Sequence, residues 1–578
     1  EDVTDRVKSA IQAGMSPEDA NKARGNVIAE IEKESRAKTG LRSDVITLYQ
    51  GGQYHLYRYK RYEDVRLVFA PEEQIAFYGG DPDNFEYPRF DLDICIFRAY
   101  ENGQPAKIEH FLKWNTKGPA DGELTFVSGN PGRTDRSLAV TELAELRNDE
   151  VPYLADLFYR RETFLHSWAA RSFENKRRAQ DDIRGVENNR KRYDGYLAAL
   201  VDPEIWRSIG AREQKLRDAM TGSEQWRGAV GAYDRIKQAQ EATAKILPVY
   251  RYFETSRGRA AASYRAPRAF YSTLFQYARR LLRHGDEMPK PNGERFPEFR
   301  DSYKESLELE LLSSQPVYDD FEIVKLNDSL TDMVTRFGSD DPLVKQVLAG
   351  KSPVDRATEL VTQTKLKDPA VRKQLYEGGA SAIAAAKDPM IDLARLVDGP
   401  AREARKIFET QDEIKQQAYA DIANARFALQ GTSSYPDATF TLRLSYGAVR
   451  GYEEHGKQIP ALTTIAGLYQ RGTEHNNEPP FDIPKRWLER KSKLNPNTPF
   501  NFVSDADIIG GNSGSPVVNK ENEFVGIIFD GNIQSLVLDC IFSDEEARAV
   551  SVDSAAISEA LRKVYDVGPL ADEIEGKK

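Results

Sequence analysis

Cysteine, histidine and long apolar runs are all scarce in this sequence, and each shortage removes a class of chemistry. Two cysteines, Cys95 and Cys540, stand in 578 residues. That is too few for a disulfide framework, and the CxxC spacing of a zinc or redox site is missing. The six histidines are scattered and HExxH does not occur, so neither a metal centre nor a cofactor is expected. No apolar run approaches the roughly 20 residues that span a bilayer. Lys/Arg blocks interleaved with aromatics are also lacking, and 81 basic residues face 91 acidic ones for a net charge of −10. Nucleic acid is therefore not an expected partner.

What is present is an ordinary globular composition, 40% hydrophobic and 30% charged, long enough for several domains. The chain opens at Glu1 with neither a methionine nor a signal peptide. It reads as processed or partial, so its start carries no argument about compartment.

The most telling stretch is Gly510-Gly511-Asn512-Ser513-Gly514-Ser515-Pro516-Val517. Glycines on both sides of Ser513 permit a tight turn in which the amides of Gly511 and Ser513 face a developing oxyanion, with Ser513 the nucleophile. A Gly/Ser-rich hairpin would read similarly. The apolar run Val525-Gly526-Ile527-Ile528-Phe529 that follows fits the next strand of a barrel instead. The elbow of α/β-hydrolases fits poorly, because no helical period follows the serine.

Taken in order, residues 1–38 read as helical, with Ser16-Pro17-Glu18-Asp19 as a capped start. Strand patterns follow at 45–49, 54–59 and 65–69, with Gln50-Gly51-Gly52-Gln53 as a hairpin loop. Then comes Gly79-Gly80-Asp81-Pro82-Asp83-Asn84-Phe85-Glu86-Tyr87-Pro88-Arg89-Phe90-Asp91-Leu92-Asp93. Asp93 directly abuts what reads as an apolar strand, Ile94-Cys95-Ile96-Phe97. A carboxylate there needs a partner, and in a serine protease that partner is the catalytic histidine. An aspartate capping a turn is the plainer alternative, and Asp93 is preferred to Asp91 as the strand's immediate neighbour. Residues 122–132 read as a strand and turn that open a second barrel. From about Leu138 to Arg426 helical periodicity dominates, with starts written at Asp202-Pro203, Asp341-Pro342, Ser352-Pro353, Asp368-Pro369 and Asp388-Pro389. Strand character returns at 439–447 and runs to about Val552, before a final helix near 554–564. The expected fold class is therefore α+β and multidomain. It comprises a peptidase part at 1–136, a helical cap at 137–430 that interrupts the second barrel, and the rest of that barrel at 431–578.

With these residues in view, the chain resembles the dipeptidyl peptidase 7 and 11 family of bacterial serine exopeptidases, and is most similar to the type 7 members. GGDPDNFEYPR, Pro291-Asn292-Gly293-Glu294-Arg295, GGNSGSPV and Phe529-Asp530-Gly531-Asn532 carry the resemblance across essentially the whole chain. It implies a chymotrypsin-like double barrel capped by a helical domain, a secreted or periplasmic location, peptide substrates and a homodimer. It further implies Ser513 as nucleophile and Asp93 as triad acid. Asn84 and Phe85 would sit at the substrate's free amine, Asp530 would pair with that ammonium, and Asn188 is the candidate for a helical-domain asparagine that also reaches it. A turn aspartate before Gly531 is the plainer reading of Asp530. Gly531 matches a position lining the P1 pocket, where glycine goes with aliphatic or aromatic P1 and arginine with acidic P1.

One departure is large. The family's histidine lies in a Thr-Asn-His-His-Cys-like segment, and none of His55, His110, His166, His284, His455 or His475 stands in such a context. The first barrel is expected to be incomplete, with its opening strands and the histidine lying upstream of Glu1. Two competitors are an endopeptidase of glutamyl-endopeptidase or HtrA type, which shares GNSG, and a non-catalytic scaffold that lost the histidine.

Overall fold

A short polar side chain followed by proline starts several of the helices, the longest among them. The side chains of Ser16, Asp202, Asp341, Ser352, Asp368 and Asp388 each accept a hydrogen bond from a backbone amide two or three residues on. Each satisfies a donor that the first helical turn would otherwise orphan. The computed structural model describes residues 1–254, 270–431 and 435–577. Part of the span read as helical, 255–269, lies outside the described residues. The helices occupy most of the stretch from Val140 to Gln430, and the longest runs Pro389–Gln430. That helix packs against Ala232–Ala244, Thr273–Glu287 and the N-terminal Pro17–Thr39. Arg24 of the last pairs with Glu413 of the long helix, both buried.

The strands are β1 (Arg42–Leu48), β2 (Gln53–Tyr59), β3 (Asp64–Phe69), β4 (Ile96–Glu101), β5 (Gln104–Pro105), β6 (Lys113–Trp114) and β7 (Leu124–Gly129) before the helices. After them come β8 (Arg443–Ala448), β9 (Tyr452–Glu454), β10 (Lys457–Ile459), β11 (Leu462–Thr464), β12 (Pro499–Ser504), β13 (Pro516–Asn519), β14 (Glu523–Gly531) and β15 (Ala549–Asp553). The main sheet has the order β11-β12-β15-β14-β13-β7-β8, with β6 alongside β14. It curls until the end of β8 meets β12, through the bridge Val449–Ser504 and the bond from Arg450 N to Val503 O (3.2 Å). β7 pairs antiparallel with β8, Thr125 opposite Gly447. The helical run is thus inserted between two hydrogen-bonded neighbours.

The N-terminal strands form two separate small sheets among the described residues, β1-β2 and β3-β4-β5. One local expectation needs correction. The strand after Asp93 begins only at Ile96, and Phe97 on it is 58% exposed. It lies in a three-stranded sheet with an open face, so apolar composition alone did not mean burial. The hairpin loop expected at Gln50-Gly51-Gly52-Gln53 does join β1 to β2, Leu48 standing opposite Gln53, and it contains a short 3₁₀ turn, Tyr49–Gly51, with φ positive at all three residues. A Cβ on Gly51 would stand 3.1 Å from the Gln416 carbonyl of the long helix, so helix packing shapes the turn. Cys95 and Cys540 are both free, one exposed and one buried.

Asp388 does more than cap. It is buried, accepts from Met390 N (2.9 Å), and also takes Thr364 Oγ1 (2.9 Å) and Lys365 N (2.8 Å) from the end of the helix Pro353–Gln363. Asp388→Ala should therefore cost about 2–3 kcal/mol in chemical denaturation, against about 1 kcal/mol for the solvent-facing cap Asp368→Ala. Equal losses would reduce Asp388 to an ordinary cap.

Candidate active site

The serine octet folds as a turn whose hydrogen bonds leave two amides over. Asn512 N donates to Ile509 O (3.0 Å), Gly514 N to Ile528 O (2.8 Å) and Ser515 N to Asn512 O (2.9 Å). Of residues 511–515, Gly511 and Ser513 are the two whose amides have no acceptor among the described residues. Gly511 has φ +110°, and a Cβ there would lie 2.6 Å from Asn130 O and 2.7 Å from Gly132 N. No other residue type fits. Gly129 at the end of β7 is similarly required, since a Cβ would run into the side chains of Asn512 and Ser515. Ser513 itself is exposed, and its Oγ donates to Phe529 O (3.2 Å).

That hydroxyl opens into a cavity of about 350 Å³ whose lining includes Gly511, Ser513, Asp93, Asn84, Phe85, Asn188, Asp530 and Gly531. Every position singled out from the sequence meets here. Three separate parts of the chain supply them. The loop 79–93 brings Asn84, Phe85 and Asp93. The ends of β13 and β14 bring Ser513, Asp530 and Gly531. The helix Phe173–Val201 brings Asn188, whose Oδ1 accepts from Asn84 Nδ2 (3.1 Å). Lys191, on the same helix, donates to the carbonyls of Asp81, Pro82 and Asn84, and Arg190 reaches Asp81 Oδ2 (2.9 Å). The helix thus clamps the loop from above.

Charge in the cavity is mostly carboxylate. Asp530 Oδ2 accepts from Phe85 N (3.0 Å) and Arg89 Nη1 (2.7 Å), and Oδ1 accepts from Gly531 N (2.9 Å). Arg89 Nε binds Asp91 Oδ2 (3.0 Å). The carboxylate that is both buried and paired is therefore Asp91, whose carboxyl burial pushes upward against the pull of Arg89. Asp93 reaches solvent in the cavity and has no hydrogen-bond partner among the described residues. Close packing around it pushes its carboxyl up to about 6, with Arg89 pulling it down and Asp530 pushing it up. Of the six histidines, none lines the cavity. Three possible metal ligands, Glu162, His166 and Glu187, gather beside Asn188. His166 Nε2 lies 2.9 Å from Glu187 Oε1, and Arg190 Nε 2.6 Å from Glu162 Oε2, so each member of this group already has a polar partner.

The family model for peptidase S46 matches residues 1–576. This chain belongs to the S46 peptidase family. It is 27% identical to an Asp/Glu-specific dipeptidyl-peptidase of Shewanella putrefaciens, over 94% of this chain and 78% of that protein. It is 25% identical to dipeptidyl-peptidase 7 of Capnocytophaga gingivalis, over 96% of this chain and 78% of the relative. In fold it matches the crystal structure of Porphyromonas endodontalis DPP11 in complex with the dipeptide Arg-Glu. The TM-score is 0.79 at 21% identity, covering all of this chain and 84% of the other. Like its relatives, this S46 member is a peptidase, and no helix among its described residues is long and apolar enough to cross a membrane.

Sequence reading missed much of the cavity wall. Arg89 lay within the quoted GGDPDNFEYPR motif but was assigned no task. Ile508, Ile509, Ile528 and Leu536 form the apolar wall, and their sequence context says only that they are apolar. Arg192 was legible in principle, being four residues after Asn188 and so on the same helix face. It lines the cavity and donates to Asp539 Oδ2 (3.1 Å).

The raised Asp93 carboxyl carries a sign that can be tested. Its contribution to stability is full below pH 4, the usual aspartate range, and is lost as pH rises through about 6. Asp93→Asn should therefore raise the melting temperature at pH 8 and leave it unchanged near pH 3.5, by calorimetry. Equal stabilisation at both pH values would sink the assignment.

Proposed function

We propose that this cavity releases dipeptides from the free N-termini of peptides through an acyl-enzyme on Ser513. The observation that carries the reading is the meeting, in one cavity, of an exposed turn serine, two amides without acceptors and an anionic recess at Asp530. Ser513 Oγ attacks the scissile carbonyl while its proton passes to a histidine oriented by Asp93. The oxyanion accepts from the Gly511 and Ser513 amides. Collapse breaks the C–N bond as the histidine returns the proton to the leaving amine. Water then repeats the sequence to free the dipeptide. The histidine of this scheme is not one of the six in residues 1–578. The double-barrel reading accompanies the proposal, with the closed main sheet as the second barrel and β3-β4-β5 as part of the first. A homodimer and a secreted or periplasmic location go with the same family resemblance.

Exopeptidase selectivity would come from Asp530, Asn84 and Asn188 holding the substrate's ammonium, so that the second peptide bond always meets Ser513. A hydrophobic P1 is supported by the wall of Ile508, Ile509, Ile528 and Leu536, and by the pairing of both arginines there. Arg89 is matched by Asp91 and Asp530, and Arg192 by Asp539. An acidic P1 would need a cation, and these two are already engaged. A relative named an Asp/Glu-specific dipeptidyl-peptidase points to the acidic alternative, so substrate profiling decides between them. Replacing Gly531 by arginine is a poor probe, because a Cβ there would run into Ser535 Oγ.

Two measurements test the function. N-acetylation of a dipeptidyl substrate deletes the ammonium and should lower kcat/KM at least about 100-fold, a little under 3 kcal/mol. Asp530→Asn should cost a similar factor on the free amine and add little on the blocked substrate. Comparable cleavage of free and blocked peptides would favour an endopeptidase. On substrates differing only at P1, Leu and Phe should exceed Asp and Glu by at least about 10-fold, with Ser513→Ala as the inactive control. An acidic preference would overturn the hydrophobic reading.

A further inference from the structure

Arg89 is a cation almost fully buried in the wall of a cavity that is read as binding another cation. Its side chain is 2% exposed. The guanidinium joins Asp91 Oδ2 to Asp530 Oδ2 and lies 5.4 Å from the centre of the Phe529 ring. Asp91 is anchored in turn, its amide donating to Asn501 Oδ1 (2.8 Å) and its carbonyl accepting from Asn501 Nδ2 (2.8 Å). The backbone therefore fixes Asp91, Asp91 fixes Arg89, and Arg89 fixes Asp530.

At Asp530 the two oxygens are treated differently. Oδ2 takes two donors, Arg89 Nη1 and Phe85 N, whereas Oδ1 takes only Gly531 N. A carboxylate oxygen accepts about two hydrogen bonds, so Oδ2 is filled and Oδ1 keeps room for one more donor. Phe85 offers its amide from a left-handed conformation, φ +59°, which a non-glycine residue adopts only where its surroundings impose it. Strain at the residue that helps hold Asp530 is consistent with a constrained carboxylate.

We propose that Arg89, braced by Asp91, is a positioning residue that occupies Asp530 Oδ2 and so presents the open side of Oδ1 to the substrate's ammonium. This rests on the reading of Asp530 as the ammonium anchor. A guanidinium this close would, on charge alone, weaken attraction for a second cation. Asp91 holds the guanidinium from its other side, so Asp530 keeps one oxygen free towards the cavity while its geometry stays fixed. The planar fork of arginine suits the task because it binds two carboxylates in fixed directions, which a lysine ammonium cannot do.

The test measures binding and needs no turnover. Ala-Phe and Ala-Glu, each free and N-acetylated, are titrated calorimetrically against the wild-type chain and the variants. The readout is the ratio of acetylated to free Kd. In the wild type it should be about 100, and Asp530→Asn should bring it near 1. Replacing the pair together, Arg89→Met with Asp91→Leu, removes both fully buried charges and leaves Asp530 at the cavity wall, and exchanging a buried ion pair for apolar residues often keeps a fold intact. Removing the pair takes a repelling cation away from the ammonium site, so a fall in the ratio to about 5 or less that is the same at pH 6 and pH 7.5 reports lost orientation and not a proton taken up by the freed carboxylate. Arg89→Lys keeps a charge and should lose at least about 10-fold in the same ratio. It also serves if the double variant fails to fold. A ratio retained in a folded variant, even with both Kd values weakened together, would overturn the proposal and leave Arg89 a structural residue. A wild-type ratio near 1, or one that Asp530→Asn does not change, would instead remove the anchor reading on which the proposal rests.

Discussion

Pairing of β7 on both its edges is the constraint on which the rest depends. One edge bonds to β8, closing off the helical insertion, and the other bonds to β13, which carries the serine turn, with Val127 opposite Val517. A strand of six residues therefore sets where the helices leave and return, and where Ser513 stands. The close approach at Gly129 shows how tight that junction is. A side chain there would displace Asn512 and Ser515, and with them the turn. Because the insertion's ends are tied to the same sheet as the Ser513 turn, the helix Phe173–Val201 can be held over the cavity. Gly195 lets it sit directly on Leu536.

Burying so many charges at one site is costly unless they are matched, and most are. Arg89 lies between Asp91 and Asp530, Arg192 meets Asp539, and Lys191 is spent on backbone carbonyls. Asp93 is the exception, a carboxylate without a hydrogen-bonding partner and with its proton affinity raised. An unmatched carboxylate lining the same cavity as Ser513 is where an orienting acid for a histidine would be expected. Matching elsewhere makes this residue stand out. The same reasoning separates Asp91 from Asp93. Of two aspartates two positions apart, one is turned inward onto Arg89 and braced by Asn501, while the other is turned to the cavity.

Local chemistry was legible in the sequence wherever a few neighbouring residues suffice. The helix starts at Asp202, Asp341, Ser352, Asp368 and Asp388 depend only on a side chain, a proline and the next two amides. The glycine pattern around Ser513 likewise encodes a turn, because Gly511 needs a backbone conformation closed to other residues. Asp93 and Ser513 could be nominated from their neighbours, and Asn84, Asn188 and Asp530 only through the family resemblance. That they share a cavity could not be read from spacing, since Asn84 and Asp530 are separated by the whole helical insertion.

Tertiary structure decided the rest, through contacts between distant segments. Whether Ile94–Phe97 is buried depends on what covers the β3-β4-β5 sheet, and Phe97 is open where its composition suggested a core strand. The turn after β1 is set by the long helix pressing on Gly51. The closure of the main sheet through Val449 and Ser504, and the burial of Arg89 between two carboxylates, likewise join residues far apart in the chain. Sequence alone determined the turns and caps because their energies are local. Burial, charge pairing and the shape of the cavity depend on which distant segments pack together, and only the folded chain determines that.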